Sequence, residues 1–234
     1  MCEDISYLPS LWESHTYSPH QPPKHVTPWP FHTWGLDLIG PINPPSKSHI
    51  WILVATEYFT KWVEAISLKK ATGPIVTNFI WEHIICIFGI PHKIVTDNGT
   101  PFVNKDVRKL LDHCHIKHRK STPYYSQGNG QAETTNRVLL KILSKIVHEY
   151  KGGWIEHLLE TLWVYRSSTK TATRLSPFSL IYGIEAISLV ELLVPTPRVV
   201  HRQEQDVDAA TCAEIKTTDL ETLEETRNLT CNCT

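Results

Sequence analysis

Three acidic residues in ordered contexts constrain this chain of 234 residues more than any other feature. Asp97 ends the apolar run of segment 94–99, and Glu133 begins a long helical pattern, with 35 residues between the two acids. Asp37 lies inside segment 34–40, an apolar run of strand length. Because an unpaired carboxylate is costly to bury, its position in such a strand suggests a chemical role.

The first half of the chain alternates strand-like runs with one helical pattern. Segments 34–40, 50–56 and 62–68 are joined by short connections, which predicts three antiparallel strands. Apolar residues recur at three- and four-residue spacing over 71–88, which predicts a helix. Residues 94–96 predict a short buried strand, and we expect it beside the first strand of a mixed sheet, so that the two aspartates are neighbours.

The second half of the chain is mainly helical in pattern. Helices are predicted over 104–112, 131–150 and 154–165, and a further short helix opens at Ser176. A short strand is predicted over 115–118. The glutamate in the first turn of the helix over 131–150 is then able to reach the two aspartates on the sheet.

Together, the three carboxylates predict a site for hard divalent cations. Mg²⁺ prefers oxygen ligands and keeps several waters, so a few carboxylates and a substrate phosphate suffice. Two ions about 4 Å apart activate a nucleophile and stabilise the leaving oxygen in phosphoryl transfer. Each acid alone has an ordinary explanation, since Asp97 opens a turn signal and Glu133 suits a helix N-terminus. Their combination in strand, strand and helix contexts favours a metal site for phosphoryl transfer on DNA.

The helix over 131–150 has two distinct faces when its residues are placed at about 100° intervals. The face of Glu133 continues into a basic stripe formed by Arg137, Lys141, Lys145 and His148. The remaining arc is apolar and comprises Val138, Leu139, Leu140, Ile142, Leu143, Ile146 and Val147. The apolar arc predicts packing on the core, and we favour phosphate contacts for the basic stripe over a merely solvated face.

Further candidate DNA contacts lie in short polar segments. A basic cluster comprises His115, Lys117, His118, Arg119 and Lys120, for which DNA contact and ordinary surface charge stay equally open. Asn129 and Gln131, in the loop before Glu133, are candidates for contacts to DNA ends. Tyr124 could stack on a base or serve in loop or core packing.

Composition limits the alternatives. The formal net charge of −1 excludes a global basic field, so any nucleic-acid surface must be local. The six cysteines are scattered, which is typical of reduced thiols in an intracellular protein. No apolar run reaches the roughly 18 residues that a membrane span needs. Residues 1–27 are rich in proline and predict a linker, and the acidic segment 198–234 predicts a lone helix or disorder.

Several short motifs occur in order along residues 28–197. They are PWPF at 28–31 with WGLDLIGP at 34–41, YFTKWVEA at 58–65, TDNGTPF at 96–102, QGNGQAE at 127–133 with Asn136-Arg137, and Thr173 with SPF at 176–178 and Tyr182-Gly183. With these motifs, residues 28–197 resemble the integrase catalytic core of long-terminal-repeat retrotransposons, and they are most similar to the Ty3/gypsy type.

The resemblance implies an RNase H-like α/β fold, a five-stranded mixed sheet flanked by helices. It implies that Asp37, Asp97 and Glu133 are the catalytic acids and hold two Mg²⁺ or Mn²⁺ ions. It also implies an enzyme of DNA integration, which trims the 3′ ends of element DNA with water and then joins the new 3′-hydroxyls to host DNA. We therefore expect DNA partners (element ends and target DNA), a homo-oligomer, a nuclear location and no membrane association.

Two positions depart from the family pattern. Tyr125-Ser126 replaces the usual His-Pro, and Glu57 replaces an Asp before Tyr58. We expect residues 1–27 to follow a missing zinc-binding module and 198–234 to be a truncated C-terminal region. The alternative is therefore a catalytically silent relic that retains only nucleic-acid binding or self-association. An RNase H-type nuclease is disfavoured by the acid spacing and by the flanking motifs.

Overall fold

Five strands form one mixed sheet in this computed structural model, which describes residues 27–121, 130–187, 191 and 209–231. The strands are β1 (Thr33–Ile39), β2 (Trp51–Glu57), β3 (Val63–Leu68), β4 (Lys93–Thr96) and β5 (Lys117–Lys120), in the order β3-β2-β1-β4-β5. The first three pair antiparallel, whereas β4 lies parallel to both β1 and β5. The predicted five-stranded mixed sheet is confirmed, including the position of β4 beside β1.

Helices flank the sheet on both faces. They are α1 (Gly73–Phe79), which continues through a π-helical segment (Ile80–Ile85) into α2 (Cys86–Phe88), then α3 (Lys105–His113), α4 (Gly130–Tyr150), α5 (Leu158–Ser167), α6 (Pro177–Tyr182) and α7 (Ala209–Cys231). The segment from α1 to α3 covers one face and α4 with α5 covers the other. Among the described residues, no helix is both long and apolar enough to cross a membrane.

Strand β1 contributes to both hydrophobic cores. Trp34 and Leu36 are fully buried in the core beneath α1 and α3, whereas Ile39 packs in the core beneath α4 and α5. Because side chains alternate along a strand, Asp37 and Gly35 project on the same side as Ile39. We call this side, on which α4 packs, the acid face of the sheet.

Helix α4 packs through a narrower side than its apolar arc predicts. Leu139 and Leu143, four residues apart, are buried, but Val138 and Leu140 are 38% and 39% exposed. The expectation that Val138 and Leu140 belong to the core was wrong. A helix that lies on a flat sheet buries a stripe of residues three and four apart, and the flanks of the arc stay at the surface.

Two element boundaries and the interior of one helix also differ from the predictions. Strand β5 begins at Lys117 rather than 115, because His115 has a positive φ of 55° that no strand adopts. Helix α5 begins at Leu158, and Trp154 precedes it as a buried core residue. The regular helix predicted over 71–88 contains the π-helical segment, a one-residue insertion into the helical register that periodicity does not resolve.

The acidic C-terminal segment is helical over α7. Arg227 holds α7 against the end of α6, since its guanidinium donates to the carbonyl oxygens of Leu180 at 2.9 Å and Ile181 at 3.1 Å. The sequence left a lone helix and disorder open for this segment, and residues 209–231 form a helix. The predicted domain boundaries at 27/28 and 197/198 fall at the edge of or outside the described residues and stay predictions.

Gly35 leaves the space that the ring of Tyr58 occupies. A Cβ atom at Gly35 would lie 2.5 Å from the hydroxyl oxygen and from Cε1 of Tyr58. We expect Gly35→Ala to lower the free energy of unfolding by about 1–3 kcal/mol, as overpacking typically does. Urea denaturation measures this change, with Gly130→Ala as the control because a Cβ atom added there would meet no described atom within 4 Å. Equal midpoints for Gly35→Ala and the wild type would contradict the expected clash.

Candidate active site

The parallel pairing of β1 with β4 brings the two aspartates to the same level of the sheet. Gly35 and Val95 are the last paired residues of this ladder, and each aspartate follows its strand's last paired residue by two positions. Both strands run in the same direction, so Asp37 and Asp97 lie at the same edge. The Oδ1 atom of Asp97 accepts the backbone N–H of Gly99 at 2.8 Å, which orients this carboxylate at the start of the turn.

Asp37 is held in place by two hydrogen bonds. Its Oδ1 accepts the backbone N–H of Leu38 at 2.9 Å, and its Oδ2 accepts the side-chain amide of Asn136 at 2.8 Å. Asn136 lies three residues after Glu133 on α4 and is buried. This contact therefore fixes the first turns of α4 against β1, at the point where Glu133 approaches the aspartates.

The negative charges of Asp97 and Glu133 both affect the carboxyl of Asp37. Burial is the largest cause of a pKa of Asp37 that is raised to about 6, and the negative charges of Asp97 and Glu133 raise it further. The hydrogen bonds from Leu38 and Asn136 lower the pKa and offset part of this effect. Among the described residues, no cationic side chain contributes to this shift, so none of them neutralises the Asp37 carboxyl.

The acids fit a hard divalent cation by donor type and charge. Mg²⁺ binds carboxylate oxygens, and a cation here would relieve the repulsion that raises the pKa of Asp37. The present spacing is wider than a closed metal site, because no three described His, Cys, Asp or Glu side chains are grouped closely enough to hold one ion. Glu133 is exposed in the first turn of α4, so its side chain has room to approach the aspartates.

Tyr58 is a neighbour of the site that the sequence did not single out. Its side chain is 2% exposed, its backbone N–H donates to the carbonyl of Thr33 at 3.0 Å, and its ring fills the space above Gly35. Burial raises the pKa of Tyr58, and the charges of Asp37 and Glu133 raise it further. The hydroxyl therefore stays protonated beside the acids. The sequence feature that could have indicated Tyr58 is Gly35. A glycine on the same strand face as Asp37 leaves room for a neighbouring ring.

The other sequence-predicted site residues are distributed along α4 and β5. Arg137, Lys141 and Lys145 are exposed on α4, as the predicted basic stripe requires, and Arg137 donates to Thr134 Oγ1 at 3.3 Å. Gln131 lies in the first turn of α4, and its Oε1 is buried without a hydrogen-bond partner among the described residues. His148 is likewise exposed on α4, and the basic residues Lys117, Arg119 and Lys120 are exposed on β5. Asn129 and Tyr124 lie outside the described residues.

Replacing Asn136 tests whether its amide tunes the first acid. We expect Asn136→Ala to raise the pKa of Asp37 above about 6, because the ionised carboxylate loses a hydrogen-bond donor. The free energy of unfolding should fall by about 1–3 kcal/mol. Carboxyl-carbon NMR titration and urea denaturation measure the two changes. Thr134→Ala, at an exposed position of the same helix, is the control, and an unchanged pKa of Asp37 in Asn136→Ala would contradict the assignment.

Comparison with known proteins shows which family the sheet-forming part of the sequence is similar to. Residues 28–126 match the family model of the integrase core domain. The chain is 30% identical over 196 residues to the Gag-Pol polyprotein of avian reticuloendotheliosis virus, covering 84% of this chain and 16% of that protein. It is 26% identical over 179 residues to the Transposon Tf2-3 polyprotein of Schizosaccharomyces pombe, covering 75% of this chain and 13% of that protein. The chain thus spans a small part of the length of both relatives.

The fold is similar to that of a solved catalytic core. The HTLV-2 integrase catalytic core domain, determined in complex with magnesium in a trimeric form, superimposes with a TM-score of 0.53 at 19% sequence identity. The match covers 64% of this chain and 95% of the solved chain. The sequence match and the fold agree: residues 28–126 are similar to the integrase core domain family, and the five-stranded mixed sheet has the RNase H-like fold of a solved integrase catalytic core.

Proposed function

We propose that the chain is the catalytic core of a Ty3/gypsy-type retrotransposon integrase, which processes the 3′ ends of element DNA and joins them to target DNA. The observation that carries this proposal is the parallel pairing of β1 with β4 together with the hydrogen bond from Asn136 on α4 to Asp37, which bring the charges of Asp97 and Glu133 within reach of the Asp37 carboxyl. Similarity to the Tf2-3 polyprotein over 75% of the chain supports the retrotransposon assignment.

In this proposal Asp37, Asp97 and Glu133 hold two Mg²⁺ or Mn²⁺ ions. When bound, such ions lower the pKa of the attacking hydroxyl or water and stabilise the leaving oxygen of an in-line displacement. Asn136 keeps the Asp37 carboxylate oriented through its hydrogen bond of 2.8 Å. The backbone N–H of Gly99 does the same for Asp97 at 2.8 Å. A carboxylate oxygen that accepts one hydrogen bond keeps a lone pair with which it can bind a metal ion.

DNA is the proposed partner, and the exposed cations near the acids are its proposed contacts. They are Arg137, Lys141 and Lys145 on α4 with Lys117, Arg119 and Lys120 on β5. Asn129 and Gln131 are proposed to touch DNA ends. Contacts of this kind act on phosphates and are independent of sequence, so binding should weaken steeply with salt. We further propose that the protein acts as a homo-oligomer in the nucleus, where its target DNA is located.

Disintegration of branched DNA, the reverse of strand transfer, tests the proposed activity on the chain as it stands. We expect the wild-type protein, with Mn²⁺ or Mg²⁺, to release the branch strand and to reseal the strand to which it was joined, and to be inactive in EDTA. Labelled products resolved on a denaturing gel measure the reaction. Inactivity with either metal, by protein that still binds the branched DNA, would contradict the catalytic proposal.

A catalytically silent relic is the second candidate. It is favoured by the spacing of the acids, since no three described metal-binding side chains are grouped closely enough to hold one ion. The two candidates differ in one readout. The relic binds DNA in a salt-sensitive way without metal-dependent chemistry, whereas the enzyme does both.

A further inference from the structure

Like charges are paired across strands β4 and β5. Lys93 is directly opposite Lys117 in the parallel ladder, and Arg119 is the next residue of β5 on the same side as Lys117. Like charges placed opposite each other destabilise a sheet. The lysine pair therefore needs an explanation beyond sheet formation.

Side-chain alternation assigns this pair to the acid face. Ile94 is fully buried in the core beneath α1 and α3, so the adjacent Lys93 projects to the opposite side, the side of Asp37. Lys117 and Arg119 share that side through the ladder register. Lys93, Lys117 and Arg119 therefore lie together on the acid face of β4 and β5.

The remaining basic residues of β5 belong to the other face. His118 is paired in register with Ile94, and its Nε2 lies 2.9 Å from Thr96 Oγ1. Burial lowers the pKa of His118, and the charges of Lys120 and of Arg108 on α3 lower it further. Lys120 and Arg108 are therefore neighbours on the α3 side. The basic cluster that looks continuous in the sequence is divided by the sheet into two groups.

The positive charge on the acid face is uncompensated. Among the described residues, no carboxylate forms an ion pair with Lys93, Lys117 or Arg119. Burial lowers the pKa of Lys93, and the charges of Arg119 and Lys117 lower it further, so the three groups repel one another. In the described part of the chain, the main contacts of α4 with the sheet are to β1 and β2 and those of α5 are to β3, so neither helix packs extensively on β4 or β5.

This cationic surface leads along β4 to the second acid. Lys93 opens the strand and precedes Asp97 by four residues, an even number that assigns both to the same side. At about 3.3 Å per residue the two Cα atoms are roughly 13 Å apart. Phosphates of one DNA strand follow one another at about 3.4 Å along the helix axis, so this separation corresponds to about four nucleotides.

We infer that Lys93, Lys117 and Arg119 form a binding surface for the DNA backbone beside the acid site, whereas Lys120 and Arg108 on the opposite side take no part. Of the three DNA contacts proposed above on β5, Lys117 and Arg119 therefore remain and Lys120 is excluded. The inference rests on the proposed function, since it takes DNA as the partner. An alternative is that the charges only protect the edge strand β5 from pairing with another strand. If the charges only protect the edge strand, the charges on both sides of the sheet serve equally. If they bind DNA, only the charges on the acid face contribute to affinity.

Two double variants with equal charge loss test the surface on the full chain. Lys117→Gln/Arg119→Gln removes two charges from the acid face, and Arg108→Gln/Lys120→Gln removes two from the α3 side. Fluorescence anisotropy with a short duplex DNA in EDTA, over a series of KCl concentrations, measures affinity. We expect the acid-face variant to bind at least about tenfold more weakly, with a slope of log K against log salt reduced by about 2, and the α3-side variant to change less than about twofold. Equal losses in the two variants, or a larger loss on the α3 side, would overturn the inference.

Lys93→Gln gives an independent readout. It removes the like-charge pair, so we expect a higher melting temperature together with weaker DNA binding. A lower melting temperature with unchanged DNA affinity would overturn the role of Lys93.

Failure of the inference can be told apart from failure of the proposed enzyme. The binding assay contains no divalent metal and requires no chemistry. If the acid-face variant binds DNA more weakly but the wild-type protein is inactive in disintegration, the binding surface is supported and the proposed enzyme is contradicted. If the wild-type protein is active but the acid-face variant binds DNA as tightly as the wild type, the proposed enzyme is supported and the binding surface is contradicted.

Discussion

Asp97→Asn is expected to abolish metal-dependent DNA joining and to leave the protein folded. The substitution removes one of the charges that attract a divalent ion and replaces a carboxylate oxygen by an amide nitrogen, which does not bind Mg²⁺. Metal stabilisation of a phosphoryl-transfer transition state is worth several kcal/mol, so we expect a loss of roughly 100- to 1000-fold. The amide oxygen of the introduced asparagine can still accept the Gly99 N–H, so the turn should persist.

The rate of disintegration on branched DNA with Mn²⁺ measures this effect, and circular dichroism melting measures folding. Asp112→Asn is the matched control, because Asp112 is an exposed acid on α3 and does not act on the Asp37 carboxyl. We expect its rate to equal that of the wild type. An Asp97→Asn protein as active as the wild type would remove the basis for metal-dependent catalysis at this edge of the sheet.

Asp37→Asn is expected to stabilise the metal-free protein, whereas most substitutions at a buried polar site are destabilising. The pKa of Asp37 is about 6 in the folded protein against an ordinary value of 3.8. Between these two values the folded state binds more protons than the unfolded state, so stability falls as the pH rises through this window and stays lower above it. The shift corresponds to at most about 3 kcal/mol, and solvent screening at this partly exposed group reduces it to about 1–2 kcal/mol.

The neutral amide of the variant avoids this cost. Its single oxygen can accept from only one of the two donors, Asn136 and the Leu38 N–H, so the lost hydrogen bond offsets part of the gain. We therefore expect the melting temperature of Asp37→Asn in EDTA to exceed that of the wild type at pH 7.5 and to converge with it near pH 4. Mg²⁺ should raise the melting temperature of the wild type at pH 7.5 but not that of the variant. A variant that is less stable in EDTA and still responds to Mg²⁺ would contradict this reading of Asp37.

Much of the sheet was predictable because its signals are local. Runs such as 50–56 are apolar, have strand length and end at turn residues, so the meander and the strand of Asp97 followed from the sequence. The extent of the buried side of α4 did not, because the exposure of Val138 and Leu140 depends on how a flat sheet meets a helix. The start of β5 was displaced by the positive φ of His115, which only the folded chain reveals.

The acids of the candidate site were proposed from the sequence, and they stay a prediction, whereas their neighbours were not proposed. Asp37, Asp97 and Glu133 were proposed from their contexts and from the resemblance to integrases. The contact between Asn136 and Asp37 joins residues 99 positions apart, so no local pattern indicates it. Tyr58 is comparable, since it approaches the acids only because Gly35 lacks a side chain. The division of the basic cluster on β5 required the ladder register, and Lys93 was missed for the same reason.

The position of a bound divalent ion tests the central claim most directly. Anomalous diffraction from crystals of the wild-type chain soaked in Mn²⁺ locates such an ion without reference to activity. We expect manganese within about 2.1 Å of carboxylate oxygens of Asp37 and Asp97, with Glu133 drawn in towards the same site. An edge of the sheet free of manganese at a saturating concentration, or a cationic side chain lying between the two aspartates, would contradict a metal-holding function for these acids.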